Sequence, residues 1–337
     1  MKKSLVALAA LAAAGIASAQ SSVTLYGVAD VWLGSTKTET LQGGVLTGVR
    51  QTVQGSGGYN GNRFGLRGTE DLGGGLKANF VLEQGFNIDT GAQGASGLQF
   101  NRQAFLGLAG GFGEVRFGRQ YTAYDTLRGA TNNSFDSSFA TTGSVWGKGV
   151  ADYAGRRDNQ ITYISPDFSG FSGAVTYALG ENKTATSSAT DTTAFHVKYA
   201  AGPLLVGVAY QQEEVSNTVD RTYTLLAGSY DFGVAKLTAG YNRAKLDMGG
   251  KDNEYQLGVD FPVASNARIA LGYVHAKYKL ANGASNGKGN GYSITGYYDL
   301  SKRTRLYAGL NNYTVKNAAG TKTEKGNLYA IGVRHSF

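Results

Sequence analysis

The chain has 337 residues, a formal net charge of +8, 50 glycines and 3 prolines, and it contains no cysteine. The absence of cysteine excludes a disulfide scaffold and a thiolate metal site. A glycine-rich chain with few prolines is not disordered here, because 21 tyrosines and 15 phenylalanines occur among many valines and leucines. This composition favours long strands that are joined by tight turns.

The first 19 residues have the three parts of an export signal. A basic start, Met1–Lys3, precedes the apolar run Leu5–Ile16 and the small residues Ala17–Ala19. We therefore predict a signal peptide over 1–19 and a mature chain of 318 residues with a net charge of +6. A membrane anchor is the alternative, and it is disfavoured because the run is shorter than the ~20 residues of a spanning helix.

Seven short clusters of turn residues divide the mature chain. Each is followed by a strand of alternating polarity, and longer polar stretches such as 181–192, 246–253 and 281–290 lie between them. All three prolines fall inside the clusters, as expected for a residue that cannot donate to a strand ladder. The seven clusters are 71–75, 110–113, 166–170, 201–203, 231–233, 260–262 and 299–301.

Seven short turns and eight long loops join sixteen strands and leave both termini on the short-turn side. An even strand number, alternating loop lengths and ~10-residue amphipathic segments are typical of an outer-membrane β-barrel. The predicted fold is all-β, a 16-stranded antiparallel transmembrane barrel over 20–337. A secreted β-sandwich or solenoid is the alternative, but a sandwich needs no systematic loop asymmetry and no strict solenoid repeat is visible.

The last strand ends on an aromatic residue. Tyr329, Ile331, Val333 and Phe337 are separated by even numbers of residues, so they share one face of the strand. In a membrane barrel the last strand pairs with the first and removes both edges. A terminal phenylalanine on such a strand is also what these barrels present to the barrel assembly machinery, so we predict an assembly signal at these four residues.

A polar inner face and a long connection predict a pore. In the segment 76–84, Lys77 and Glu83 lie on the face opposite Phe80 and Leu82, and sixteen strands are wide enough for an aqueous channel. The longest connection, about 127–155, is predicted to fold into the lumen and narrow it. An exposed surface loop is the alternative.

Three segments resemble the general porins of beta-proteobacteria. Residues 22–30 are similar to their first strand, 63–78 to their second and third strands, and 112–120 to the strand that leads into their constriction loop. The similarity extends over essentially the whole mature chain. It implies homotrimers of sixteen-stranded barrels, each with its own pore and with the third extracellular loop folded inside.

The resemblance also implies a charged pore constriction. Arg63, Arg102 and Arg156 match the family's wall arginines, and Glu83 matches a wall acid. Asp125 and Asp136 both fit as the acid of the loop. Gln103 stands where some relatives carry a second basic residue, which weakens the positive field. For each charge the alternative is a solvated residue at the barrel rim.

Signals for other functions are absent from the sequence. The three histidines, His196, His275 and His335, are isolated and lack metal-ligand spacing, and no nucleophile elbow occurs. Lysines and arginines are scattered, which does not favour nucleic-acid binding. We expect no enzyme activity, no catalytic residue, no cofactor and no metal.

The predicted function is an outer-membrane porin for passive diffusion of small hydrophilic solutes and ions, with a modest anion preference. Its expected partners are two further copies of the chain, outer-membrane lipid and lipopolysaccharide, and the barrel assembly machinery. Two alternatives remain open, an adhesin or receptor that acts through its surface loops, and a substrate-specific channel.

Overall fold

The computed structural model describes residues 22–337, and the signal peptide predicted over 1–19 lies outside them. The described chain forms one closed antiparallel sheet of sixteen strands, as predicted, in which every strand pairs with its neighbours in sequence. The second strand consists of three segments. None of the helices in this part of the chain is long and apolar enough to cross a membrane.

The strands are β1 (Ser22–Gln42), β2 (Val45–Thr47, Arg50–Ser56 and Arg63–Gly73), β3 (Leu76–Gly85), β4 (Gln103–Gly110), β5 (Gly113–Tyr121), β6 (Arg156–Ile164), β7 (Phe171–Ala178), β8 (Thr192–Ala201), β9 (Leu204–Ser216), β10 (Val219–Asp231), β11 (Lys236–Leu246), β12 (Lys251–Ala264), β13 (Ala267–Lys279), β14 (Ser285–Asp299), β15 (Thr304–Asn317) and β16 (Lys322–Ser336). Two helices, α1 (Ala123–Ala130) and α2 (Thr142–Val145), and the 3-10 turn Ser134–Asp136 lie between β5 and β6.

Pairing of β1 with β16 closes the barrel. The ladder runs from Val28 opposite Ser336 to Thr40 opposite Glu324. Beyond it, Gly27 and Phe337 exchange two backbone hydrogen bonds, with N···O distances of 3.0 and 3.2 Å. Because lipid offers no hydrogen-bond partner, an open edge at this seam would leave backbone groups unsatisfied. The terminal residue therefore extends the seam by one more pair.

The predicted apolar face of the last strand lies on the outside of the barrel. Tyr329, Ile331, Val333 and Phe337 are between 37 and 64% exposed there. The ring of Phe337 lies over Gly27, where a Cβ atom would be 2.2 Å from the Phe337 Cζ atom. A glycine in β1 is thus required to seat the terminal ring. The predicted role of these residues in assembly stays a prediction.

The turn predicted at 260–262 is wrong. β12 continues through Asp260 and Pro262 to Ala264, and the reversal occurs at residues 265–266. Pro262 pairs with Arg268, and the register shifts between Pro262 and Ala264. Proline is tolerated in strands at such irregularities, where its missing N–H removes no regular ladder bond.

Long loops at the end opposite the termini are fewer than predicted. Five of these eight connections are tight hairpins, for example Gly43–Gly44 between β1 and β2, because the strands continue beyond the apolar belt. A polar segment pairs as well as an apolar one once its backbone has a partner, so polarity did not mark the end of a strand. The three long connections are 86–102, 122–155 and 179–191.

The contribution of the Phe337 ring to closure of the barrel can be tested. Replacing Phe337 with Ser removes the apolar ring from Gly27 and leaves the two backbone hydrogen bonds intact. We expect several-fold less heat-modifiable, folded barrel after refolding into detergent micelles, measured by gel mobility. The control is Phe232→Ser, which removes a similarly exposed ring from the turn between β10 and β11. Equal folded yields for the two variants would contradict the role of the terminal ring.

Candidate functional site

The connection 122–155, which we call the inner loop, lies inside the barrel. The predicted start of this connection, at about residue 127, is too late, because β5 ends at Tyr121 and Thr122 caps α1 by accepting a hydrogen bond from the Asp125 amide at 3.2 Å. The loop therefore begins five residues before the predicted position 127. Tyr124 and Phe139 are fully buried within the lumen. Infolding of this loop agrees with the sequence analysis.

Backbone amides of the inner loop donate to carboxylates on the barrel wall. The amide of Gly147 donates to Glu254 at 2.6 Å, and those of Gly149 and Val150 donate to Asp252 at 3.0 and 2.7 Å. Both acids are in β12 and are fully buried. A backbone donor that the protein covers costs free energy when it has no acceptor. The return half of the loop is therefore held firmly against β12.

The first half of the loop packs on small wall residues. A Cβ atom at Gly207 would be 2.9 Å from Leu127, and one at Gly309 would be 2.6 Å from the Phe139 ring. Only small side chains let the loop lie this close to the sheet. The inward positions beneath it are Ala174, Ala194, Ala209, Ala227, Ala244, Ala276, Gly207, Gly258, Gly272, Gly289, Gly291 and Gly309.

The wall that the loop leaves uncovered carries a group of arginines. The Nε atoms of Arg102 and Arg63 lie 2.8 and 3.7 Å from the carboxylate oxygens of Glu83. Arg102 also donates to the Tyr121 hydroxyl at 2.9 Å, and the Arg156 guanidinium stacks 4.0 Å from the centre of the Tyr121 ring. We call Arg63, Arg102, Arg156, Glu83 and Tyr121 the arginine cluster.

The arginine cluster has excess positive charge. The cluster has three guanidiniums and one carboxylate. Arg63 and Arg102 both pair with Glu83, which also accepts a hydrogen bond from the Tyr26 hydroxyl at 2.9 Å. Arg156 makes no ion pair with any residue of 22–337. Arg334, in β16, lies an even number of residues from the buried Ala330, so it is on the same, inward face of the strand. The sequence analysis did not identify Arg334. Its even spacing from Ala330 was the available signal.

The two candidate loop acids lie in different places. Asp125 is in α1, accepts the Tyr153 hydroxyl at 2.5 Å and touches Gly155, the residue before Arg156. Asp136 accepts Asn132 Nδ2 at 2.7 Å and faces a cavity that Lys236 lines on the opposite wall. The structure therefore brings Asp125 next to the arginine cluster and leaves Asp136 apart from it.

Burial affects the loop acids in the same way. Desolvation of the charged form raises the pKa of Asp125 above its usual value of 3.8, although the Tyr153 hydroxyl and Arg128 oppose the shift. The pKa of Asp136 is also raised by burial, against the hydrogen bond from Asn132. Arg128 itself lies between the rings of Trp146 and Tyr153, with its guanidinium 5.3 and 5.1 Å from their centres. The sequence analysis did not identify Arg128.

Comparison with known proteins decides the family. The model of the Gram-negative porin family matches residues 5–318. The chain belongs to the Gram-negative porin family. An outer membrane porin protein 32 of Delftia acidovorans is 40% identical over 289 residues, which cover 81% of this porin and 79% of that protein. An outer membrane porin of Bordetella pertussis is 35% identical, over 72% of this porin and 69% of that protein.

A solved structure matches the barrel of this porin closely. It is described as an anion-selective porin from Comamonas acidovorans, with a TM-score of 0.79 and 31% identity, and the match covers 94% of this porin and all of that chain. The family and the sixteen-stranded fold predicted from the sequence are confirmed, and the porin is a channel of the outer membrane. Both relatives are named outer membrane porins.

Removal of an anchoring carboxylate from β12 is expected to loosen the inner loop. In Asp252→Ala, the amides of Gly149 and Val150 lose their acceptor, and leaving the buried Val150 donor unpaired costs about 1–3 kcal/mol. We expect a noisier single-channel current and faster proteolytic cleavage within the loop. The matched control, Asp247→Ala, removes an exposed carboxylate that pairs with Lys245 in the turn after β11. Indistinguishable noise in both variants would contradict the anchoring role of Asp252.

The raised pKa values predict a pH effect on ion selectivity. As the pH falls towards 4, Asp125 and Asp136 take up protons before a carboxyl with the usual pKa of 3.8 does. Because their negative charge is lost first, the lumen becomes more positive. We expect the reversal potential in a KCl gradient to move towards the chloride potential as the pH is lowered. In Asp125→Asn the movement should be smaller, and an unchanged movement would exclude Asp125 as its source.

Proposed function

We propose that this porin conducts small hydrophilic solutes and ions by passive diffusion through a constriction between the arginine cluster and the inner loop, with a modest preference for anions. The observation that carries the proposal is that the three guanidiniums of the arginine cluster stand against one carboxylate, that of Glu83, which pairs with Arg63 and Arg102 and leaves Arg156 without an ion pair among residues 22–337. A lumen wall of one sign concentrates the opposite ion, and arginine or lysine is the usual lining of anion pores.

Opposing charges limit this preference. Glu83 and Asp125 lie within or next to the arginine cluster, and the net charge expected for the mature chain is only +6. The solved neighbour described as anion-selective, at 31% identity, supports the sign of the preference. Asp136 of the inner loop lies apart from the guanidiniums of the wall, and a field between these opposite charges favours polar solutes that align with it.

The proposal extends to the assembled state. We include a signal peptide over 1–19, a homotrimer surrounded by outer-membrane lipid and lipopolysaccharide, and recognition of Tyr329, Ile331, Val333 and Phe337 by the barrel assembly machinery. An outer face rich in exposed apolar side chains supports contact with lipid and with other copies. One solved protein of the same fold, OmpT of Vibrio cholerae, is described in a trimer form. Five of the eight connections at the end opposite the termini are tight hairpins, which leaves less surface for an adhesin.

Ion selectivity tests the arginine cluster directly. We expect the wild type to prefer chloride over potassium in a KCl gradient, with a smaller preference at 1 M salt, where screening shortens to about 3 Å. Arg63→Ser, Arg102→Ser and Arg156→Ser should each move the reversal potential towards potassium, because each removes one lumenal positive charge.

The matched control is Arg243→Ser, which removes an exposed arginine from the outward side of β11. It should leave the reversal potential unchanged. A wild type that prefers potassium would overturn the proposed anion preference. Three lumenal variants that behave like Arg243→Ser would show that the arginine cluster does not set the field.

A further inference from the structure

A polar cavity of about 160 Å³ lies in the lumen beside the first turn of α1. Strands β4 to β8 enclose it, and its basic lining residues are Arg116, Lys198 and His196. We call it the root cavity because it adjoins the root of the inner loop. One water occupies about 30 Å³ of the liquid. The root cavity is therefore large enough for a small anion with several oxygen atoms.

Hydrogen-bond donors in the root cavity lack acceptors. Gln120 is 2% exposed, and its Nε2 atom has no partner among residues 22–337. The Nε atom of Arg116 is likewise buried and unpaired. Buried donors without a partner are uncommon in folded proteins, and the terminal amide torsion of Gln is soft enough to turn its nitrogen into the cavity. An acceptor bound in the cavity would then satisfy the Gln120 amide.

The charge in the root cavity is positive. Lys198 forms no ion pair with any residue of the described chain, and the carboxylate that faces Arg116 is Glu114, which accepts Arg116 Nη2 at 2.8 Å. His196 Nδ1 donates to the Ala123 carbonyl at 2.6 Å, so its proton already has a partner. Two fixed cations against one carboxylate, together with unpaired donors, form a binding site for an oxyanion rather than for a cation or a sugar.

The root cavity adjoins the arginine cluster through Tyr121. The Tyr121 side chain lines the cavity, while its hydroxyl accepts from Arg102. Arg116 is five residues before Tyr121 in β5, which is roughly 17 Å along the strand towards the short turns. An anion that passes the arginine cluster therefore reaches a second basic group before it leaves the barrel at the short-turn end.

We propose that the root cavity is a second anion site, which binds inorganic phosphate or a similar small oxyanion on the short-turn side of the constriction. This inference rests on the proposed anion-preferring channel and adds a site where the anion is retained. Lys198 and Arg116 supply the charge, and Gln120 supplies a directed N–H donor. Chloride lacks the several oxygen acceptors that would occupy these donors together, so it is held less well than phosphate.

The test measures block of the chloride current by phosphate. The purified mature protein is placed in a planar bilayer in KCl at pH 7, and inorganic phosphate is added on the short-turn side. We expect phosphate to reduce the chloride current of the wild type with a measurable half-block concentration. Lys198→Gln should raise that concentration about tenfold, which is the effect of losing one charge-assisted hydrogen bond.

Two matched variants distinguish binding in the root cavity from the general effect of positive charge in the lumen. Lys236→Gln removes a lumenal positive charge that lines a different cavity, and Lys198→Arg keeps the charge. Both should change the half-block concentration less than twofold. Ser172→Glu, which introduces a carboxylate opposite Lys198 in the β7–β8 ladder, should weaken block as Lys198→Gln does, so the test does not depend on one variant folding.

The outcomes distinguish this inference from the proposed function. A wild type that prefers chloride but shows no block by phosphate would overturn the root cavity as a site and leave the anion-preferring channel standing. Equal shifts in Lys198→Gln and Lys236→Gln would also overturn it, because the general field would then explain the block. A wild type that prefers potassium would overturn the proposed function itself.

Discussion

Closure of the sheet is the constraint on which the rest of this structure depends. In lipid every backbone amide and carbonyl needs a partner inside the protein, and the β1–β16 seam supplies the last of them. Sixteen paired strands enclose a space too wide for wall side chains alone to fill. The inner loop occupies one side of that space, and the alanines and glycines of β7 to β15 make room for it. The passage is what the loop leaves open along the arginine cluster.

The contacts that anchor the loop also cover several carboxylates of the wall. Asp252 and Glu254 lie behind the loop and accept its backbone amides, and Glu213 accepts the Ala154 amide while it pairs with Arg157 and Arg221. These carboxylates are thus covered by protein on the loop side. The uncovered wall displays guanidiniums with a single shared carboxylate. The same hydrogen bonds that fix the loop therefore remove much of the negative charge from the passage.

Features set by a two-residue period were predictable from the sequence. Inward Arg63 and Glu83, the outward apolar face that ends at Phe337, and the number of strands all follow from parity and turn residues. Features set by distant contacts were not. Thr122 ended β5 early by capping a helix, and nothing near Asp252 in sequence indicates that it holds residues 149 and 150. The alanine and glycine positions of the wall carried that information, but only the closed barrel shows that they share one surface.

The anchors of the inner loop have a consequence for the order of folding. The loop ends before β6 begins, yet its hydrogen-bond acceptors are in β12, about one hundred residues later in the chain. Contacts of such long sequence separation form slowly, because a large segment must be ordered before they stabilise anything. The loop therefore reaches its final place only after the C-terminal half of the sheet exists. A barrel that has inserted but not matured would be transiently wide and poorly selective, and seating of the loop would be the last step in making it discriminate among solutes.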